Sequence, residues 1–159
     1  MRRSAALVLV LMCGGSLPAL AVSKGKALYV GGTISTIQER TQSPIDIKNE
    51  TSLKYAGLSI PWRSVSEVEY GQKVGHRVAT AILLSPLALF KKARHHYVTV
   101  NYKDPEGKDQ AVVFEFDKDD IRSALATFRA RTGKEISFLD DEARKQMGGG
   151  APAKEKEKQ

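Results

Sequence analysis

The sequence predicts a mainly β domain with a single C-terminal α-helix. Three observations carry this. From residue 24 to residue 138, apolar residues recur at period two or in short runs bounded by turn residues. Ile121, Leu125 and Phe128 depart from that pattern, falling at i, i+4 and i+7 with Ala124 between them, which is one stripe of a helix. Gly133 follows directly, placed to end that helix in a left-handed conformation.

The elements follow in order. Residues 27–34 (ALYVGGTI) read as a first strand, with Gly31-Gly32 marking a bend or a close backbone approach. Residues 51–56 and 58–62 read as a short hairpin around Gly57. In 65–74, Val65, Val68 and Tyr70 are apolar among Glu67, Glu69 and Lys73. Val65 and Val68 are three apart, which puts a bulge or a strand start near Ser66. Residues 96–103 (HYVTVNYK) alternate, Asp104-Pro105-Glu106-Gly107 form a tight turn, and 110–116 (QAVVFEF) return as the partner strand. Asp117 is the expected N-cap of the helix, with Asp119 and Asp120 near its positive end. Arg122, Arg129 and Arg131 lie off the apolar stripe and are expected in solvent. Ile136 and Phe138 add a last extended segment, and 140–147 a short helix.

The N-terminal residues set the compartment. Arg2 and Arg3 precede the apolar run 5–12, and Ala19-Leu20-Ala21 is the small-x-small pattern of signal peptidase. The expected domain layout is therefore a cleaved signal peptide over 1–21, a β-rich domain over 22–139 with an apolar insert at 76–94, and a short helix with a charged tail over 140–159. The expected location is periplasmic or extracellular. Cleavage after Ala21 removes Cys13, the one cysteine, so the mature chain forms no disulfide. It also lowers the formal charge from +7 to +5. An exported, mildly basic chain does not point to nucleic acid. The tail has no large apolar residue to offset the entropy of ordering.

The most unusual internal feature is 78–90 (VATAILLSPLALF), thirteen residues without a charge. Lys73, His76 and Arg77 precede it; Lys91, Lys92, Arg94, His95 and His96 follow. It is too short to span a bilayer as a helix, and Ser85-Pro86 turn or break it midway. Three readings stand: a buried part of the domain or a helix covering its mouth, an interfacial hairpin with a basic collar, or a partner-binding patch. In the last two, Leu83, Leu84, Leu87, Leu89, Phe90, Lys91, Lys92 and Arg94 are the membrane or partner contacts.

The fold pattern reaches a family resemblance. Residues 58–70 (LSIPWRSVSEVEY) are similar to the apolar-strand and I-x-x-I/V-x-x-V stretch of bacterial pleckstrin-homology-like and GRAM-like domains. Residues 95–102 (HHYVTVNY), then 112–116 and the helix ending Thr132-Gly133-Lys134, resemble their last hairpin and helix. The resemblance covers about 26–135 and implies a bent antiparallel sheet or barrel plugged by the helix, serving as a docking module. Phosphoinositide-binding members carry a basic cluster after the first strand. Here that stretch is Ile37-Gln38-Glu39-Arg40-Thr41-Gln42-Ser43, with one basic residue beside one acidic one, so no inositol phosphate site is implied.

No nucleophile-elbow, zincin, phosphate-loop or dinucleotide motif occurs. Asp46, Glu50, Glu67 and Glu69 read as the solvated side of strands. Adjacent His95 and His96 on a strand point to opposite faces, so they read as a surface pair on a basic rim rather than as metal ligands. Asn49-Glu50-Thr51 matches a glycosylation sequon. The sequence thus predicts no enzyme, metal or cofactor. It predicts an exported, non-catalytic binding or scaffold module of the cell envelope, whose partner is an envelope protein or an anionic membrane surface. The alternatives are a peripheral membrane protein using 78–90, and an enzyme with an unrecognised site.

Overall fold

The computed structural model describes residues 25–72, 95–139 and 141–148. The leader, the insert and the tail of the sequence reading lie outside the described residues. Eight strands form one sheet: β1 (Lys26–Gly32), β2 (Gln42–Asp46), β3 (Ser52–Tyr55), β4 (Leu58–Pro61), β5 (Val65–Gly71), β6 (His96–Lys103), β7 (Asp109–Phe116) and β8 (Ile136–Phe138). Helix α1 (Ile121–Thr132) lies between β7 and β8, and α2 (Asp141–Gln146) follows. The domain is mainly β with a C-terminal helix, as its periodicity predicts.

The strand order is β4-β3-β2-β1-β7-β6-β5-β8. Residues Trp62–Ser64 form a single 3-10 turn that carries the chain from β4 to β5. In a flat sheet those strands, six positions apart, would be about 29 Å from one another at ~4.8 Å per strand. Four Cα steps reach about 15 Å at most. The sheet must therefore roll toward itself, and the turn bridges the seam. It stays open, because β4 and β8 are its two ends. It is also mixed rather than purely antiparallel: β8 pairs parallel to β5, with Val68 opposite Ile136 and Tyr70 opposite Phe138.

Local chemistry explains the turns. Tyr55 pairs with Leu58, leaving a two-residue hairpin in which Ala56 and Gly57 both have positive φ, 45° and 86°. That is the primed turn whose twist matches the strands. In the β6–β7 turn, Asp104 Oδ1 accepts from the Lys108 amide at 2.8 Å and Oδ2 from Gln110 Nε2 at 2.9 Å. The three-residue spacing of Val65 and Val68 is a bulge, with the register shifting between Val65 and Glu67. A second bulge lies between Tyr29 and Gly31. Gly133 ends α1 at φ 67°, donating its amide to the Arg129 carbonyl at 2.9 Å. The N-terminal end differs from expectation. Asp117 shapes the preceding turn, accepting from the Asp119 amide at 2.9 Å, and Asp120 holds the cap position. Asp120 Oδ2 instead accepts from the Gly25 amide at 2.6 Å, tying the helix to the start of β1.

The inner face of the roll holds the core. Ala27 and Tyr29 from β1, Val98 and Val100 from β6, and Val112, Phe114 and Phe116 from β7 meet the α1 stripe there. Phe128 sits edge-on to both Trp62 and Phe116, with ring centroids 5.9 and 6.2 Å away. The core is rich in tyrosine, and each buried hydroxyl needs a partner. Tyr55 donates toward the Thr41 carbonyl at 2.6 Å and lies 3.1 Å from the Ala27 carbonyl. Tyr29 reaches the Ile34 carbonyl at 3.0 Å. Burial, and secondarily Glu39, pushes the Tyr29 hydroxyl up to about 12.

Candidate functional site

The contact residues read from the sequence, Leu83, Leu84, Leu87, Leu89, Phe90, Lys91, Lys92 and Arg94, lie outside the described residues, as does His76. The two histidines that flank them are described, and they differ from the expected surface pair. His96 is buried on the inner face at the end of β6, and its Nδ1 lies 2.7 Å from the Tyr70 hydroxyl, with the two rings stacked at 6.0 Å. His95 turns to the outer face. Its Nδ1 lies 2.5 Å from Glu115 Oε1, its ring stacks on Tyr97, and its Nε2 is buried without a hydrogen-bond partner among the described residues. Strand alternation sends the two imidazoles apart, each to its own partner. Among the described residues, no three His, Cys, Asp or Glu side chains are grouped to hold a metal ion.

Burial holds the His96 imidazole below its ordinary value; Asp117 opposes this, His95 adds to it, and Glu115 opposes it. The fold therefore favours neutral His96, hydrogen-bonded through Nδ1 to the Tyr70 hydroxyl. A folded value below the unfolded 6.5 means that the unfolded chain binds the proton first, so stability falls as pH drops through that value. Urea midpoints at pH 7 and pH 5 are expected to show this loss. His96→Phe is expected to be less stable at pH 7 but to flatten the difference.

Of the carboxylates, Asp46 and Glu50 are exposed as expected, whereas Glu67 and Glu69 are not. Asp46 is exposed and accepts from the Lys48 and Asn49 amides at 3.0 Å each. Asn49, the sequon residue, accepts with Oδ1 from the Thr51 amide at 3.0 Å and the Ser52 amide at 3.1 Å, while its carbonyl receives Trp62 Nε1 at 2.8 Å. Glu67 is half-buried, with Oε1 2.9 Å from the Ser137 hydroxyl, and Glu69 is buried at 8% exposure. Asp46, Asn49 and Glu67 thus each hold a local hydrogen bond.

Two hollows mark the described surface. One, of about 350 Å³, is a dish beside the β3–β4 hairpin, lined by Pro44, Lys54, Gly57 and Leu58 among others. The other, of about 220 Å³, runs between α1, β8 and Met147 at the end of α2. Leu125, Ile136, Phe138 and Met147 make its apolar floor, Arg122 and Arg129 stand on its rim, and Ala126 opens onto it. Arg129 pairs with Glu135 at 2.5 Å on the exposed rim. Arg122, Arg129 and Arg131 are exposed, as the helical stripe predicts. The groove itself was not legible, because β8 joins β5 by parallel pairing and brings Ile136 and Phe138 beside α1 from a distant register.

No described helix is long and apolar enough to cross a membrane. The chain matches no protein-family model, no curated protein and no solved structure.

Proposed function

We propose that the protein is an exported, non-catalytic binding module of the cell envelope that engages a partner protein through the groove between α1, β8 and the end of α2. The groove is the observation that carries this. Its volume of about 220 Å³ is below the roughly 300–1,000 Å³ of small-molecule pockets, and it suits one or two apolar side chains of a partner. A floor of leucine, isoleucine, phenylalanine and the adaptable methionine, rimmed by arginines, resembles the centre of a protein interface. The arginine rim favours acidic residues beside the inserted side chain. The sheet behind it, filled with side chains, acts as a rigid support.

Ala126 is exposed on α1, so Ala126→Arg fills the mouth of the groove at little cost to the helix. A partner co-purified from the native envelope with wild type is expected to be lost with Ala126→Arg. It is expected to be retained with Glu106→Arg, in the exposed β6–β7 turn. Equal recovery from both variants would place binding elsewhere.

A further inference from the structure

Three aromatic rings connect the floor of the groove to the first residue of β6. Phe138 of β8 forms part of that floor and is itself buried. Its ring meets Tyr70 of β5 edge-on, with centroids 6.0 Å apart and planes at 86°. Tyr70 is fully buried and stacks on His96 at 6.0 Å and 10°, its hydroxyl 2.7 Å from the imidazole Nδ1. Backbone ties run the same way. Tyr70 lies opposite Phe138 in the parallel β5–β8 pair, and its carbonyl accepts the Leu139 amide at 2.9 Å. His96 is the member of this series whose charge changes between about pH 5 and 8. Few titratable groups face it among the described residues. Tyr70 comes from β5, His95 precedes it on β6, and Glu115 and Asp117 lie at the end of β7. Phe116 stands opposite it in the β6–β7 ladder, and Glu115 is paired with His95. Burial is the largest influence on the imidazole, and it favours the neutral form against the two carboxylates.

We infer that the groove is gated by pH through this series: neutral His96 holds Tyr70 and Phe138 in the partner-binding shape, and protonated His96 releases them. This rests on the groove being the binding surface. The proton passes from solvent to the free ring nitrogen, which makes both nitrogens donors and sets a charge among aromatic rings. A charge so placed gains by moving toward water or toward the carboxylates of Asp117 and Glu115. Either movement takes the flat face of the imidazole off Tyr70. Phe138 then loses the ring that sets its angle. It sits on a strand of three residues at the end of the sheet, whose one strand neighbour is β5, so a shift of Tyr70 reaches the groove directly. Acid thus loosens the apolar floor while leaving the exposed arginine rim outside the series. Linkage is reciprocal: a partner seated in the groove holds His96 neutral to lower pH.

Methyl NMR of the full chain, labelled at the methionine methyl carbons, tests the coupling without the partner. Met147 lines the groove with Phe138; it is one of three methionines, and its signal is assigned by its loss in Met147→Leu. In folded wild type, the Met147 methyl shift is expected to titrate with a midpoint below 6.5. The His96 ring proton, identified by its Overhauser contact with Tyr70, is expected to share that midpoint. In His96→Gln the Met147 shift is expected to stay flat over the same range, and in His95→Gln to titrate as in wild type. A Met147 signal that ignores pH, or follows a midpoint other than that of His96, overturns the inference. Titration that persists in folded His96→Gln does so too. Should that variant fail to fold, the two wild-type midpoints decide alone. Recovery of the co-purified partner is expected to fall severalfold from pH 7 to pH 5 with wild type and to hold with His96→Gln; an equal fall with both overturns the gating. Failure of the groove itself reads differently, since recovery then survives Ala126→Arg whatever Met147 does.

Discussion

Phe128→Ala is expected to lower the unfolding free energy by about 3–5 kcal/mol, the range for removing a fully buried aromatic side chain. Phe128 is 0% exposed and is the ring on which α1 meets both the Trp62 seam and Phe116 of β7. Its loss uncouples the helix from the two parts of the sheet that the roll brings together. A domain of this size has about 5–15 kcal/mol in hand, so the variant is expected to be marginal. Trp62 is the only tryptophan, and its fluorescence in a urea titration reports the transition at the contact itself. A loss below about 1 kcal/mol would mean that α1 does not plug the roll.

Gly32→Ala is expected to be comparably damaging for a different reason. A Cβ at this position would lie 2.4 Å from the Ala111 carbonyl oxygen, 2.9 Å from the Tyr29 hydroxyl and 3.1 Å from the Val112 Cα. Two of those three atoms are backbone, so no rotamer change relieves the clash. The β1–β7 ladder must separate, or the bulge between Tyr29 and Gly31 must move. The expected cost is at least about 1–3 kcal/mol, the usual range for overpacking, and a fall in urea midpoint with the slope retained is the readout. An unchanged midpoint would contradict the close approach of the two strands.

These two residues also show what was legible. Phe128 announced itself by helical spacing from Ile121 and Leu125, and the Gly31-Gly32 pair announced a backbone approach. The bulge at Ser66 was visible because three-residue spacing breaks a two-residue period. Strand β2 was not visible: Gln42–Asp46 contains Pro44 and one large apolar residue, and it is extended because β1 and β3 flank it. Glu69 was misjudged because alternation reports exposure only where one face meets water, and strands buried on both faces erase that signal. His96 was misjudged for another reason: it alternates with buried Val98 and Val100, and its polar type was given more weight than that register. The groove depends on β8 arriving parallel beside β5, a long-range pairing that no local pattern encodes.

In the proposed function the partner sits in the groove between α1, β8 and the end of α2. The most direct measurement places a photo-reactive side chain at position 126, on the rim, and irradiates the protein in its native envelope. A discrete adduct with one partner protein is expected from position 126 and none from position 106. Absence of an adduct at 126, or the same adducts from both positions, would contradict it.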